Sequence, residues 1–417
     1  MTPSPRLSAG GRAALDKWLA DTNAARLTPA LFVGVASKDD VLYFNCAGER
    51  VLGEPDKGSV NEDTVIEMWS MTKLVTSLAC MQLKERGLVD YDDAALCERV
   101  LPDLCAMPVL LGYEGDTPKY TPRTEDITLR RLLTHTVGQA YGNRAQLRWE
   151  KENLAIQWKD PGSTTASFAT PLNIQPGSSF VYGLGIDWAG ILLERITGLT
   201  LDEYFRQHIW EPLGITSMSF FPTPDLKARL MQMCTRTKEG KLVHTQKLRP
   251  VKDMVPSDIK QQAGGGGLLG TAREYVTFLQ AVLRCRDEDG LVSRAGFREL
   301  FTDSLPPDEA GRDCHKALEA FLKFRGYPEE MSTSRRGVGY SPGLCLNLEP
   351  SVNGRKAGSG FWFGAARSEY WIDPASGLVG LCATQLMNDY ETIWSGVYSS
   401  YERTVYDAVE GVDEARL

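Results

Sequence analysis

Between Met68 and Asp90 the chain reads MWSMTKLVTSLACMQLKERGLVD, a run of good helix formers without proline. Gly87 stands where a helix usually ends, and Lys84 and Arg86 lie in the last turn, so the pattern predicts one helix. Its apolar positions, Leu74, Val75, Leu78, Ala79, Met81 and Leu83, fall on nearly every side. A surface helix carries a single apolar stripe, so this one is expected to lie buried between layers. Upstream, Leu31–Ser37 and Val41–Gly48 are apolar, β-branched or aromatic runs separated by Lys38-Asp39-Asp40, which predicts a hairpin. A short amphipathic pattern through Ala14, Leu15, Trp18 and Leu19 precedes it.

From Asp90 to Pro256 strands are hard to find. Helical stretches recur at Leu129–Thr134, Asp187–Thr197 and Leu201–Ile209, separated by Gly- and Pro-rich turns at Gly112–Pro122, Asp160–Ser163 and Gln175–Ser179. Another helix is expected over Thr271–Arg284, whereas Ser304–Arg336 is charged and reads as an irregular excursion. Four strand-like runs follow, Gly337–Leu348, Gly358–Ala365, Ser368–Ile372 and Leu378–Leu386, and an amphipathic pattern from Glu391 to Val409 ends the chain. Strands near both termini with helices to cover them predict an α+β fold: one antiparallel sheet flanked by N- and C-terminal helices, plus an inserted helical lobe. The expected domains are a discontinuous sheet domain, 1–68 with 260–417, and a helical domain, 69–259, with the Ser70 helix at the interface.

Composition narrows the function classes. The 417 residues carry a net charge of −8 and no long basic run, which argues against a nucleic-acid partner. Nine cysteines, odd in number and scattered without a Cys-x-x-Cys pair, suggest a reducing compartment. The N-terminus lacks the apolar core of a secretory signal and no window reaches transmembrane length, so a cytoplasmic protein without a membrane partner is expected. The four histidines, at 135, 208, 244 and 315, show no metal-ligand spacing, and neither a metal nor another cofactor is expected. Gly264 to Gly267 lacks the Gly-Lys-Ser/Thr ending of a phosphate loop and reads as a close backbone turn.

Ser70 and Lys73 lie one turn apart at the start of the Met68–Asp90 helix, on one face, where an amine can reach a hydroxyl. That is the geometry of a nucleophile beside its base; the alternative is a helix-capping serine and a solvated first-turn lysine. A second Ser-x-x-Lys, Ser257 to Lys260, has no apolar helix to hold it and is assigned to a loop.

Further marks accompany the first spacing: Leu132-Leu133-Thr134-His135-Thr136-Val137-Gly138, then Pro176-Gly177-Ser178-Ser179-Phe180-Val181-Tyr182-Gly183, the turn Gly264 to Thr271, and Trp362-Phe363-Gly364-Ala365. In order and spacing they resemble the serine β-lactamase and penicillin-binding-protein superfamily, in its class C β-lactamase, carboxylesterase and polyketide transesterase branch, nearest the lovastatin-type acyltransferases. The resemblance spans nearly the whole chain. It implies that Ser70 carries the acyl group, that Lys73 takes its proton, and that Tyr182 relays protons to the leaving group and from the incoming alcohol. Without the resemblance, Tyr182 reads rather as a core tyrosine with a satisfied hydroxyl. The implied oxyanion donors are the backbone amides of Ser70 and Ala365, the latter on a strand flanking the cleft. Trp362, Phe363 and Gly364 are the implied substrate-binding residues. Phe363-Gly364-Ala365 stands where relatives have more glycine, so Phe363 is expected to narrow the mouth.

Leu184 occupies the third position of the β-lactamase Tyr-x-Asn element, and no Lys-Thr-Gly is found, which disfavours a β-lactam substrate. His135 belongs to a helix-ending motif that is structural in relatives. Three functions stay open. The first is acyl transfer from a thioester, on coenzyme A or an acyl carrier protein, to the hydroxyl of a small natural-product-like acceptor. The second is ester or lactone hydrolysis by the same residues. The third is a repurposed, non-catalytic scaffold. The first is the expected function.

Overall fold

The computed structural model describes residues 4–245, 251–309, 311–326, 337–387 and 393–411. Helix α1 (Gly11–Ala24) leads into the hairpin β1 (Ala30–Ser37) and β2 (Val41–Gly48), and after a loop comes α2 (Thr72–Glu85). The long stretch that follows contains α3 (Gly185–Thr197) and ends at α4 (Ala272–Arg284). Helix α5 (Cys314–Phe324) then precedes five strands, β3 (Val338–Tyr340), β4 (Cys345–Asn347), β5 (Gly360–Gly364), β6 (Ser368–Asp373) and β7 (Leu378–Ala383), and α6 (Trp394–Ala408) closes the fold. The seven strands form one antiparallel sheet in the order β3-β4-β5-β6-β7-β1-β2. β7 pairs with β1 from Leu378↔Ser37 to Ala383↔Phe32, so the first and last parts of the chain share the middle of the sheet.

The helices cover both faces. Neighbouring strand residues point to opposite sides. Tyr370 packs on Tyr275 of α4 (ring centroids 5.4 Å apart), while Trp371 packs on Tyr401 of α6 (6.0 Å). α4 and α6 therefore lie on opposite faces, and α1 joins α6 through Trp18, whose Nε1 donates to Ser400 Oγ (2.9 Å). On the α4 side the Tyr275 hydroxyl donates to Met71 O (2.8 Å), which brings the start of α2 against that layer. Every residue of α2 from Thr72 to Leu83 is buried, as an all-round apolar pattern requires.

Three expectations change. The Met68–Asp90 helix is not continuous: Trp69–Met71 form a 3-10 turn and the α-helix begins at Thr72. Gly112–Pro122 is no simple turn but part of a hairpin, Val109–Glu114 with Thr117–Thr121, and Cys234–Arg236 with Leu242–His244 make another. Thr117–Thr121 is largely polar, with Pro118 in an edge strand, Val109–Leu111 is an unbroken apolar run, and the strands of the second hairpin have three residues each, so neither hairpin shows the apolar alternation of a core strand. The supposedly irregular 304–336 stretch contains α5. The rest of that expectation, at 310 and 327–336, lies outside the described residues, as do 391 and 392 at the start of the C-terminal pattern.

α5 is pinned at its first turn. His315 Nε2 lies 2.8 Å from Asp303 Oδ2 and its Nδ1 3.5 Å from Asp308 Oδ1, while its backbone N–H donates to Asp308 Oδ1. The Asp303 hydrogen bond raises the His315 pKa against the opposing effect of burial. Burial pushes the Asp303 carboxyl up, but His315 and the amides of Tyr340 and Leu305 hold it below its ordinary value. A histidine whose folded pKa is raised contributes stability that is complete below its unfolded value, about 6.5, and lost as pH rises through the folded one. Amide-exchange protection of α5, corrected for intrinsic rates, is therefore expected to fall as pH rises from the ordinary histidine value, about 6.5, through the raised folded one. His315→Gln should remove that pH dependence; protection that stays flat in the parent enzyme would contradict the pinning.

Candidate active site

Ser70 sits in the 3-10 turn that feeds α2, directly after Trp69, whose backbone is left-handed at φ +49°. For a bulky residue such a conformation costs on the order of 1–3 kcal/mol and persists only where surroundings enforce it. Here the Thr72 hydroxyl donates to Trp69 O (2.7 Å) and accepts from Leu268 N–H (3.2 Å), which holds the turn from both sides. Gly364, at the end of β5, lies against the same turn: an added Cβ would stand 2.7 Å from Met68 O. Ser70 is thus half-buried where α2, β5 and the Gly264–Gly267 turn meet.

Lys73, fully buried, projects to the same point. Its Nζ lies 3.1 Å from Ser70 Oγ, 2.9 Å from the Tyr141 hydroxyl and 2.6 Å from Gly265 O. Tyr182 approaches from the helical lobe, its hydroxyl donating to Ser70 Oγ at 2.7 Å. Trp362 Nε1 in turn donates to the Tyr182 hydroxyl (3.4 Å) from β5. With a neutral amine, two Lys73 hydrogens go to Gly265 O and Tyr141, and the lone pair is left facing Ser70 Oγ. The arrangement can then take the serine proton while two walls of the cleft supply hydrogen bonds.

Behind the lysine stands a carboxylate that sequence reasoning missed. Asp187, in the first turn of α3 and 1% exposed, accepts from the Tyr141 hydroxyl (2.9 Å) and from Gly265 N–H (2.8 Å). Burial raises the Asp187 pKa, opposed by Lys73, the Gly265 amide and Tyr141. Burial, then Asp187, push the Tyr141 phenol well above its ordinary value, so Tyr141 stays a neutral donor to Asp187 while accepting from Lys73. Asp187 is a countercharge one hydroxyl removed from the amine. Gly265 must be glycine at this crossing, since a Cβ would lie 2.5 Å from both the Asp187 and the Tyr141 oxygens. Tyr141 follows the Leu132–Gly138 motif by three residues, and Asp187 is an acid in an otherwise apolar helix start. A charged side chain on a face that must be buried was the available signal.

His135 is brought to the site's edge. Its ring is 4.7 Å from that of Tyr182, within a cage completed by Phe180 and Tyr340 at 5.7 and 5.5 Å. Burial, then the nearby Lys73, lower its pKa well below the ordinary value, and neither ring nitrogen has a partner among the described residues. It is a neutral buttress behind Tyr182. Phe363 is 5% exposed and stacks on Trp362 at 4.7 Å. Ala365 lies one residue past β5, in the tight turn to β6 and not on the strand itself. Ser257 of the second Ser-x-x-Lys spacing is exposed, within the short 3-10 turn Pro256–Asp258.

Comparison with known proteins supplies the family. The Beta-lactamase family profile matches residues 15–396. The chain is 32% identical to monacolin J acid methylbutanoyltransferase of Aspergillus terreus over 87% of its length and 88% of that protein's. It is 30% identical to lovastatin esterase of Penicillium rubens, covering 87% and 90%. The LovD6 mutant of simvastatin synthase from Aspergillus terreus superposes with a TM-score of 0.81 at 29% identity, covering 96% and 95%. With the serine, lysine and two tyrosines converging as described, the chain belongs to the beta-lactamase family, as an enzyme of acyl transfer.

Proposed function

We propose that the enzyme moves a short acyl group from a thioester to the hydroxyl of a small polyketide-like acceptor, by way of an ester on Ser70 Oγ. The observation that carries this reading is the convergence on Ser70 Oγ of Lys73 Nζ at 3.1 Å and the Tyr182 hydroxyl at 2.7 Å. Lys73 takes the serine proton as Oγ attacks the thioester carbonyl, and its new charge is met by Gly265 O and, through Tyr141, by Asp187. Tyr182 passes a proton to the leaving thiolate and later receives one from the incoming alcohol. The amides of Ser70 and Ala365 receive the oxyanion, and Trp362, Phe363 and Gly364 line the acyl and acceptor space. The relatives named for acyl transfer support the transferase reading. A lovastatin esterase among them makes ester hydrolysis the second reading, with water in place of the alcohol.

The proposed donor is carried on coenzyme A or on an acyl carrier protein, and the proposed location is the cytoplasm, in keeping with nine free cysteines, eight of them buried. A set of acyl thioesters offered with a polyketide-like alcohol tests the reading: ester should accumulate faster than free acid, and a carrier-bound donor should outperform the free small thioester. Free acid as the sole product would favour the hydrolase. Tyr182→Phe is expected to lower kcat about 10²- to 10³-fold, with little change in Tm because the ring contacts remain. Activity within threefold of the parent would remove Tyr182 from the relay.

A further inference from the structure

α5 roofs the cleft and touches both of its walls. On the helical-lobe side, the Asp313 N–H donates to Ser178 O (3.3 Å), and the Phe321 ring lies 4.8 Å from that of Tyr182 and 6.0 Å from that of Phe180. On the sheet side the same ring is nearly parallel to those of Trp362 (6.0 Å, 16°) and Phe363 (6.2 Å, 15°). Cys314, Leu318 and Leu322 are buried and fasten the helix, while Phe321 is half-buried. One side chain of α5 therefore spans the gap between Tyr182 and the strand that ends at Gly364. Phe321 thus faces four aromatic side chains, and its ring offers a water molecule neither donor nor acceptor.

We propose that Phe321 is the specificity-determining residue of the acceptor step, keeping water from the Ser70 ester while admitting an alcohol with an apolar body. The proposal rests on the acyl-enzyme reading above. In either deacylation an oxygen adds to the acyl carbonyl carbon, the carbon–Oγ bond breaks, and the proton of the attacking O–H returns to Ser70 Oγ through Tyr182 and Lys73. Water gives the free acid and an alcohol gives the ester. Both routes use the same proton transfers, so proton-transfer chemistry discriminates little between them. Discrimination falls to occupancy: a flat aromatic face gives a polycyclic or polyketide-like alcohol stacking area and excludes a small polar nucleophile.

The test compares the parent enzyme with Phe321→Ala, Phe321→Leu and Phe324→Ala, each supplied with one short-chain acyl coenzyme A and one alcohol at fixed concentration. The ratio of ester to free acid is read. That ratio belongs to a single intermediate, so it does not depend on how much enzyme is folded or how fast it is acylated. Phe321→Ala should lower it about tenfold or more, and Phe321→Leu by less. Phe324→Ala, on the same helix but 85% exposed, should leave it unchanged. A ratio within twofold of the parent in Phe321→Ala would overturn the proposal. So would an equal fall in Phe324→Ala, which would assign the effect to the helix and not to the ring. A parent enzyme that forms no Ser70 ester would overturn the acyl-enzyme reading as well, whereas an unresponsive Phe321→Ala beside a normal parent overturns this inference alone.

Discussion

Ser70→Ala is expected to lower kcat for acyl transfer by on the order of 10⁴-fold or more. The covalent route needs an oxygen at this position, and the geometry provides none to replace it. The hydroxyl removed is the one on which Lys73 Nζ and the Tyr182 hydroxyl converge. Residual turnover would come from bound substrates held near the Ser70 and Ala365 amides, with water or the alcohol attacking directly. Folding should be nearly unaffected, because Ser70 is half-buried and its loss leaves Tyr182 and Lys73 hydrogen-bonded to Trp362, Tyr141 and Gly265. Steady-state kinetics beside a thermal melt separates the two effects. Retained activity with an unchanged Tm would exclude Ser70 as the nucleophile.

Lys73→Met is expected to lower kcat by on the order of 10⁴-fold and also to destabilise the fold, by about 1–3 kcal/mol. Methionine keeps most of the apolar stem but offers no base to the serine and no donor to Gly265 O or Tyr141. Asp187, 1% exposed, then loses its link through Tyr141 to the lysine that opposes its raised pKa. Its pKa, already raised by burial, should rise further. A carboxyl with a raised folded pKa binds its proton more tightly in the native state than in the unfolded chain. It therefore costs stability as pH rises from the unfolded value toward the folded one. The variant should accordingly lose more stability than the parent on going from mildly acid to neutral pH. Adding Asp187→Asn should recover part of that loss without restoring activity. If the double variant is no more stable than Lys73→Met at neutral pH, Asp187 is not the countercharge.

Much of the architecture could be read before any coordinates because local patterns and global packing agree. β1, β2 and the strands after Gly337 carry apolar runs bounded by turn residues, and α2 is apolar all round, so both sheet and central helix followed from side-chain periodicity. The two hairpins between Asp90 and Pro256 did not. Thr117–Thr121 is half-exposed and polar, and its strand state is set by pairing with Val109–Glu114 across a tight turn, a partner that composition does not reveal. At the site, Ser70 and Lys73 carry a recognisable spacing, and Tyr182 is picked out by the motif that carries the family resemblance. Tyr141, Asp187 and Phe321 carry no such mark, because they reach the cleft from three separate elements and meet only when the lobe, α3 and α5 are folded onto the sheet. Asp187 left one trace, an acid on a face with no route to solvent. Phe321 was hidden by the charged residues around it, although Leu318, Phe321 and Leu322 repeat at helical spacing.

The central claim, an acyl group carried on Ser70, is tested most directly by intact-protein mass spectrometry after brief mixing with a short-chain acyl thioester, followed by peptide mapping. The account predicts a mass gain of one acyl group on Ser70, absent in Ser70→Ala and discharged when a polyketide-like alcohol is added. No adduct during turnover, or an adduct that persists in Ser70→Ala, would contradict it.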